Sequence, residues 1–196
     1  MKRVLTAVML TAALGVAGPA FAADTAEVGK PAPAFTLKDE AGKEHSLAQY
    51  QGKIVVLEWT NPDCPFVQRH YKADTMQNTL KGFDGQKVVW LAVDSTSSNT
   101  PDKSASWKKG EGFTYPVLVD AEGKVGKTYG AKTTPHMYVI DEKGVLRYAG
   151  AIDDDPRGKN ASAVNHVKTA VDSLLTGKPV PAATTEPYGC SVKYKS

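Results

Sequence analysis

Two nearly continuous apolar runs, Ile54-Val55-Val56-Leu57-Glu58-Trp59 and Val88-Val89-Trp90-Leu91-Ala92-Val93, restrict this chain more than any other feature. Runs of that length, bounded by polar and turn residues, read as central strands covered on both faces. Between them, Phe66, Ala73, Met76, Leu80 and Phe83 share one side of a helix drawn from Pro65 to Phe83. A strand, a helix and a further strand of this kind form a parallel crossover.

The remaining segments extend that unit. Ala34-Phe35-Thr36-Leu37 and Glu44-His45-Ser46-Leu47 flank a turn from Asp39 to Gly42, giving an N-terminal β-hairpin. Pro101 opens a helix that runs through Trp107, Tyr115 to Asp120 is a short strand, and Val125 to Tyr129 is a helical turn. Met137 to Asp141 and Val145 to Tyr148 flank Glu142-Lys143-Gly144 as a second hairpin. Ser162 to Leu175 reads as a helix with Val164, Val167, Val171, Leu174 and Leu175 facing inward. The expected fold class is α/β, a mixed central sheet with helices on both faces.

The first 22 residues have the pattern of a secretory signal peptide. Lys2 and Arg3 precede a mostly apolar stretch from Val4 to Val16, and Ala20-Phe21-Ala22 offers small residues for a cut after Ala22. The apolar stretch is too short to span a bilayer, and the expected location is the periplasm or the exterior of a bacterium. The whole chain carries 24 basic and 21 acidic side chains, for a charge of +3. Two of those basic groups leave with the leader, so the remainder is close to neutral and offers no nucleic-acid surface. Residues 23–177 are expected to form one domain. Residues 178–196 read as a Pro-rich linker followed by a tail containing Cys190.

Cys64, in Asn61-Pro62-Asp63-Cys64-Pro65-Phe66-Val67, sits where the first central strand gives way to the helix. Unpaired backbone N–H groups and the helix dipole favour a thiolate there; a small buried core residue is the alternative. The other cysteine, Cys190, allows either a structural bridge or a redox couple in an oxidising compartment. Asp63 reads as the helix N-cap, and its charge opposes ionisation of Cys64. Arg69 and His70 would offset Asp63 if they folded back; otherwise they are solvated or satisfied helix residues. Thr133-Thr134-Pro135-His136 precedes the strand at Met137, with proline at the strand mouth where it need not donate to a ladder. His136 is a candidate neighbour of Cys64 or a structural histidine. The Asp153-Asp154-Asp155 run reads as a solvated loop.

In this element order, the strand-to-Cys64 junction and Thr134-Pro135 resemble the thioredoxin fold. The entry Phe35-Thr36-Leu37 and the string Glu58-Trp59…Cys64-Pro65-Phe66-Val67…His70-Tyr71 resemble its redoxin branch, the alkyl hydroperoxide reductase and thiol-specific antioxidant superfamily. The tail Pro187-Tyr188-Gly189-Cys190-Ser191-Val192-Lys193-Tyr194 resembles those of a secreted peroxiredoxin-like subgroup. The resemblance implies that Cys64 is the reactive cysteine and Pro135 a cis-proline facing it after Thr134. Val67 stands where a dithiol thioredoxin has its second cysteine. Leu57 and Asn61 stand where a typical peroxiredoxin has its proline and its threonine or serine, and Thr60 lies one residue away.

Cys190 is then a candidate resolving thiol, because the stretch from Leu175 can extend roughly 50 Å and reach Cys64 in its own chain or in a partner. A spare tail thiol or a permanent bridge are the alternatives. The expected activity is thiol-dependent oxidation–reduction, with a peroxide or a disulfide as substrate, a thioredoxin-like external thiol as reductant, and neither cofactor nor metal. Further alternatives are thiol–disulfide exchange through mixed disulfides and a non-catalytic module binding a partner or a soft metal through Cys64, His136 or Cys190.

Overall fold

The computed structural model describes residues 25–196; the leader read at 1–22 lies outside the described residues. In chain order the elements are β1 (Thr36–Asp39), β2 (Glu44–Ser46), a 3-10 turn (Leu47–Tyr50), β3 (Ile54–Trp59), α1 (Pro65–Lys72) and α2 (Thr75–Lys81). They continue with β4 (Val88–Asp94), α3 (Pro101–Glu111), β5 (Val117–Val119), α4 (Lys124–Tyr129), β6 (Thr133–Thr134), β7 (His136–Ile140), β8 (Leu146–Gly150), α5 (His166–Leu175) and β9 (Cys190–Ser191). Seven strands form one mixed sheet in the order β2-β1-β5-β4-β3-β7-β8, and β6 pairs separately with β9. This is the α/β thioredoxin-like architecture with its N-terminal β1-β2 hairpin.

The two apolar runs are β3 and β4, parallel from Ile54 opposite Val88 to Trp59 opposite Val93. Every residue of β3 is buried, because alternate side chains enter two different cores. Ile54 and Val56 join Val67, Tyr71, Met76, Trp90, Val167 and Val171 under α1, α2 and α5. Val55, Leu57 and Trp59 join Leu91, Leu118, Tyr129, Tyr138 and Ile140 on the other face, covered by α4 and the N-terminal segment.

Two helix expectations need correction. The helix drawn from Pro65 to Phe83 is broken by Asp74, which takes a left-handed φ of 51°. The break resets the phase, so α1 buries Val67, His70 and Tyr71, α2 buries Met76 and Thr79, and Ala73 is exposed. The last helix starts at His166 rather than Ser162, because the Asn165 side chain caps it by accepting the Lys168 N–H at 2.8 Å. Val164, left outside the helix, is 49% exposed instead of facing inward.

One charge interrupts the buried run. Glu58, fully buried, accepts hydrogen bonds from the Tyr71 hydroxyl at 3.1 Å and Trp90 Nε1–H at 2.9 Å, and Tyr115 donates to the Tyr71 oxygen at 2.8 Å. Burial outweighs these bonds and raises the Glu58 pKa from 4.5 to about 7. A carboxyl whose folded pKa is raised withdraws stability as pH climbs from the unfolded value to the folded one. Asp94, raised by burial to about 6, acts in the same sense, whereas His70 and His136, held down by burial to about 4, act oppositely. Comparison of Glu58→Gln with the wild type cancels those other groups. Urea unfolding across this range should show the variant gaining relative stability as pH rises from 4.5 to about 7, by up to about 3 kcal/mol. A pH-independent difference would exclude titration of this carboxyl.

Candidate functional site

The register of β3 against β7 creates the site. Trp59, the last residue of β3, lies opposite His136, the first of β7, so the segments beyond both strand ends meet at one edge of the sheet. One segment leads to Cys64 and the other ends in Thr134-Pro135, joined by a cis peptide bond. Asn61 shapes the first: its side-chain oxygen accepts the Asp63 N–H at 2.8 Å, and its carbonyl accepts the Cys64 N–H at 3.0 Å. The expectation that Asp63 caps the helix is corrected. Pro65 is the first helical residue, which makes Cys64 itself the N-cap, and α1 has no side-chain cap.

Cys64 Sγ lies 3.0 Å from the Thr134 carbonyl oxygen and, as a thiol, donates to it. The tail closes over this contact. β9 runs antiparallel to β6 with Cys190 opposite Thr134, and Thr134 Oγ1 lies 3.5 Å from the Cys190 carbonyl oxygen. Gly189, at φ +137°, lets the tail come this close, since a Cβ there would overlap the Thr134 carbonyl. Cys64 is consequently only 1% exposed and Cys190 half-buried, both as free thiols.

Burial opposes ionisation of Cys64, but its pKa is nonetheless lowered. The Cys190 thiol, the Thr134 hydroxyl and the backbone N–H groups of Val67 and Cys190 stabilise the thiolate. Val67 is on the first turn of α1, where N–H groups have no helical acceptor. Cys190 moves the other way: burial and the neighbouring Cys64 push it up to about 11. The pair is therefore polarised, with the proton held more readily by Cys190 than by Cys64.

Other expected neighbours are elsewhere. Arg69 and His70 do not fold back toward Asp63. Arg69 donates to the carbonyls of Pro156 at 2.8 Å and Asp155 at 3.1 Å, and His70 Nε2 meets the Tyr188 hydroxyl at 2.9 Å. His136 is on the opposite sheet face from Cys64, by the alternation of β7, where its ring packs on Tyr138 and Nδ1 lies 3.1 Å from the Tyr138 hydroxyl. A soft-metal site combining Cys64, Cys190 and His136 is therefore not assembled. Thr60 is buried close to Glu58, and its hydroxyl makes no well-formed hydrogen bond.

Sequence reasoning missed Glu58, Tyr188 and Asp153. Glu58 was detectable as the single charge within an apolar run. Asp153 is not a solvated loop residue, because its carboxylate accepts the Tyr188 hydroxyl and, at 3.0 Å, the Asp155 N–H. The stretch expected as a linker lies along β8, with the Ala149 N–H donating to the Ala183 carbonyl at 3.1 Å and the Thr185 N–H to the Ala149 carbonyl at 3.2 Å.

Known proteins share this arrangement of elements. A Mycobacterium tuberculosis protein provisionally named a peroxiredoxin is 31% identical over 144 residues, covering 71% of this chain and 85% of its own length. The thiol-disulfide oxidoreductase ResA of Geobacillus thermodenitrificans is 28% identical over 150 residues, covering 75% and 84%. The crystal structure of SMc02350 from Sinorhizobium meliloti 1021 superposes with a TM-score of 0.78 at 27% identity, covering 88% of this chain and 97% of that one. The AhpC/TSA family model matches residues 28–149, which include Cys64 and the Thr134-Pro135 pair, and the chain belongs to that family.

Proposed function

We propose that this chain is a periplasmic or secreted thiol peroxidase in which Cys64 reduces a peroxide and Cys190 resolves the product. The leader supports the location, and the apposition of Cys190 with Thr134 and Cys64 carries the mechanism. The Cys64 thiolate attacks one peroxide oxygen, the O–O bond breaks, and the departing alkoxide takes a proton to leave as an alcohol or water. Cys64 is thereby oxidised to the sulfenic acid. The Cys190 sulfur then attacks Cys64 Sγ, forming a disulfide and releasing the sulfenic hydroxyl as water with the proton of the Cys190 thiol. A thioredoxin-like external thiol returns two electrons by exchange, and the half-buried Cys190 is the more accessible sulfur for that attack.

Asn61 carries an amide in place of the hydroxyl of a peroxide-binding threonine or serine, and its side-chain oxygen is engaged in the turn. Thr60 offers an unpartnered buried hydroxyl instead, one residue earlier. A second reading, thiol–disulfide exchange by mixed disulfides, draws support from the ResA relative and needs no such hydroxyl.

In a coupled assay with peroxide and a thiol reductant, Cys64→Ser should fall to the uncatalysed background. Cys190→Ser should still form the sulfenic acid, seen by mass spectrometry as one added oxygen, but no internal disulfide. Equal slow consumption by wild type and Cys64→Ser would refute the peroxidase. Thr60→Val should slow peroxide reduction about tenfold, the scale of one lost hydrogen bond to a charged or developing-charge atom. It should leave alkylation of Cys64 by iodoacetamide unchanged; an unaltered peroxide rate would remove Thr60 from the site.

A further inference from the structure

The segment that buries Cys64 is tied down on both sides of Cys190. On one side, the Tyr188 hydroxyl donates to the Asp153 carboxylate and lies 2.9 Å from His70 Nε2. Its ring packs on Phe66 with centroids 5.9 Å apart, under the Arg69 guanidinium at 5.8 Å. On the other side, the Tyr194 hydroxyl donates to the Ala131 carbonyl at 2.7 Å, and its ring rests on Gly123 and Gly126, where any Cβ would collide with it. Between these anchors the tail is held by its pairing with Thr133-Thr134 and by the Val192 N–H on the Lys132 carbonyl at 3.1 Å.

This placement bears on what can reach the sulfur. An extended polypeptide bringing a disulfide to Cys64 would pair with the free backbone edge beside it. That edge is Thr133-Thr134, and β9 already occupies it. A small hydroperoxide needs no strand partner and can enter through side-chain fluctuations that leave both tyrosines seated. We infer that residues 185–194 are a doubly anchored lid that admits small hydroperoxides to Cys64 and excludes disulfides carried on polypeptides, with Tyr188 and Tyr194 setting that size limit. The inference rests on Cys64 being the reactive thiol, and it favours the peroxidase over exchange with protein disulfides.

Access can be read without turnover. In a Cys190→Ser background that leaves Cys64 as the single thiol, alkylation by iodoacetamide is compared with alkylation by a maleimide carried on a long polymer. Tyr188→Phe keeps the ring but removes the bond to Asp153, and Tyr194→Phe does the same at Ala131. The polymer reagent should react about tenfold faster in Tyr188→Phe and at least about threefold faster in Tyr194→Phe, as loss of a charged and a neutral hydrogen bond respectively would give. Iodoacetamide should change by less than about twofold. Equal acceleration of both reagents, or no acceleration in variants whose thermal melts show an intact fold, would overturn the lid. A chain that reduces no peroxide would refute the proposed function while leaving these labelling rates fully interpretable.

Discussion

Everything at the site depends on one alignment, Trp59 opposite His136 across the β3–β7 ladder. It ends two buried strands at the same level of the sheet and brings together segments 70 residues apart in the chain, Cys64 and Thr134. A slip of one residue would turn the side chains of β7 over. Met137 and Val139 would leave the core beneath α5, while Tyr138 and Ile140 would enter it. The register is fixed by two hydrophobic cores at once, so the thiol's position follows from packing on both faces of the sheet.

Given that position, the ionisation of Cys64 is decided by competition. Low polarity around a 1% exposed sulfur favours the neutral form, and donors aimed at it favour the charged one. Hydrogen bonds to a charged atom are each worth about 1.5–3 kcal/mol, so a few of them offset burial. Two of the donors belong to Cys190, and the tail therefore both desolvates the Cys64 sulfur and stabilises its charge. Asp63, the nearest negative charge in sequence, is exposed to solvent and does not reverse the outcome.

Much of this was legible in the sequence, for identifiable reasons. The crossover, both hairpins and the Cys64 junction announce themselves because continuous apolar runs, turn residues and Pro65 are local signals. The break at Asp74 did not, since no glycine or proline marks it and the left-handed turn is taken by an aspartate. Placing His136 beside Cys64 failed because adjacency to Pro135 says nothing about which face a strand residue occupies. The Tyr188–Asp153–His70 contact was invisible for another reason. It joins three polar side chains from separate segments, each of which alone resembles solvated surface. Thr60 was singled out by its proximity to the expected peroxide-binding position, but its unpartnered state could only be seen in three dimensions.

The location of Cys190 in the tail has a thermodynamic corollary. Should the two sulfurs join, the covalent ring would run from the mouth of the central strand through β4, β5, β7, β8 and α5 to the last strand, enclosing most of the domain. Closing so long a ring deprives the denatured chain of entropy worth about 4–5 kcal/mol in the loop-closure model. The oxidised molecule would then melt well above the reduced one, and its heat resistance would itself report the redox balance of its surroundings.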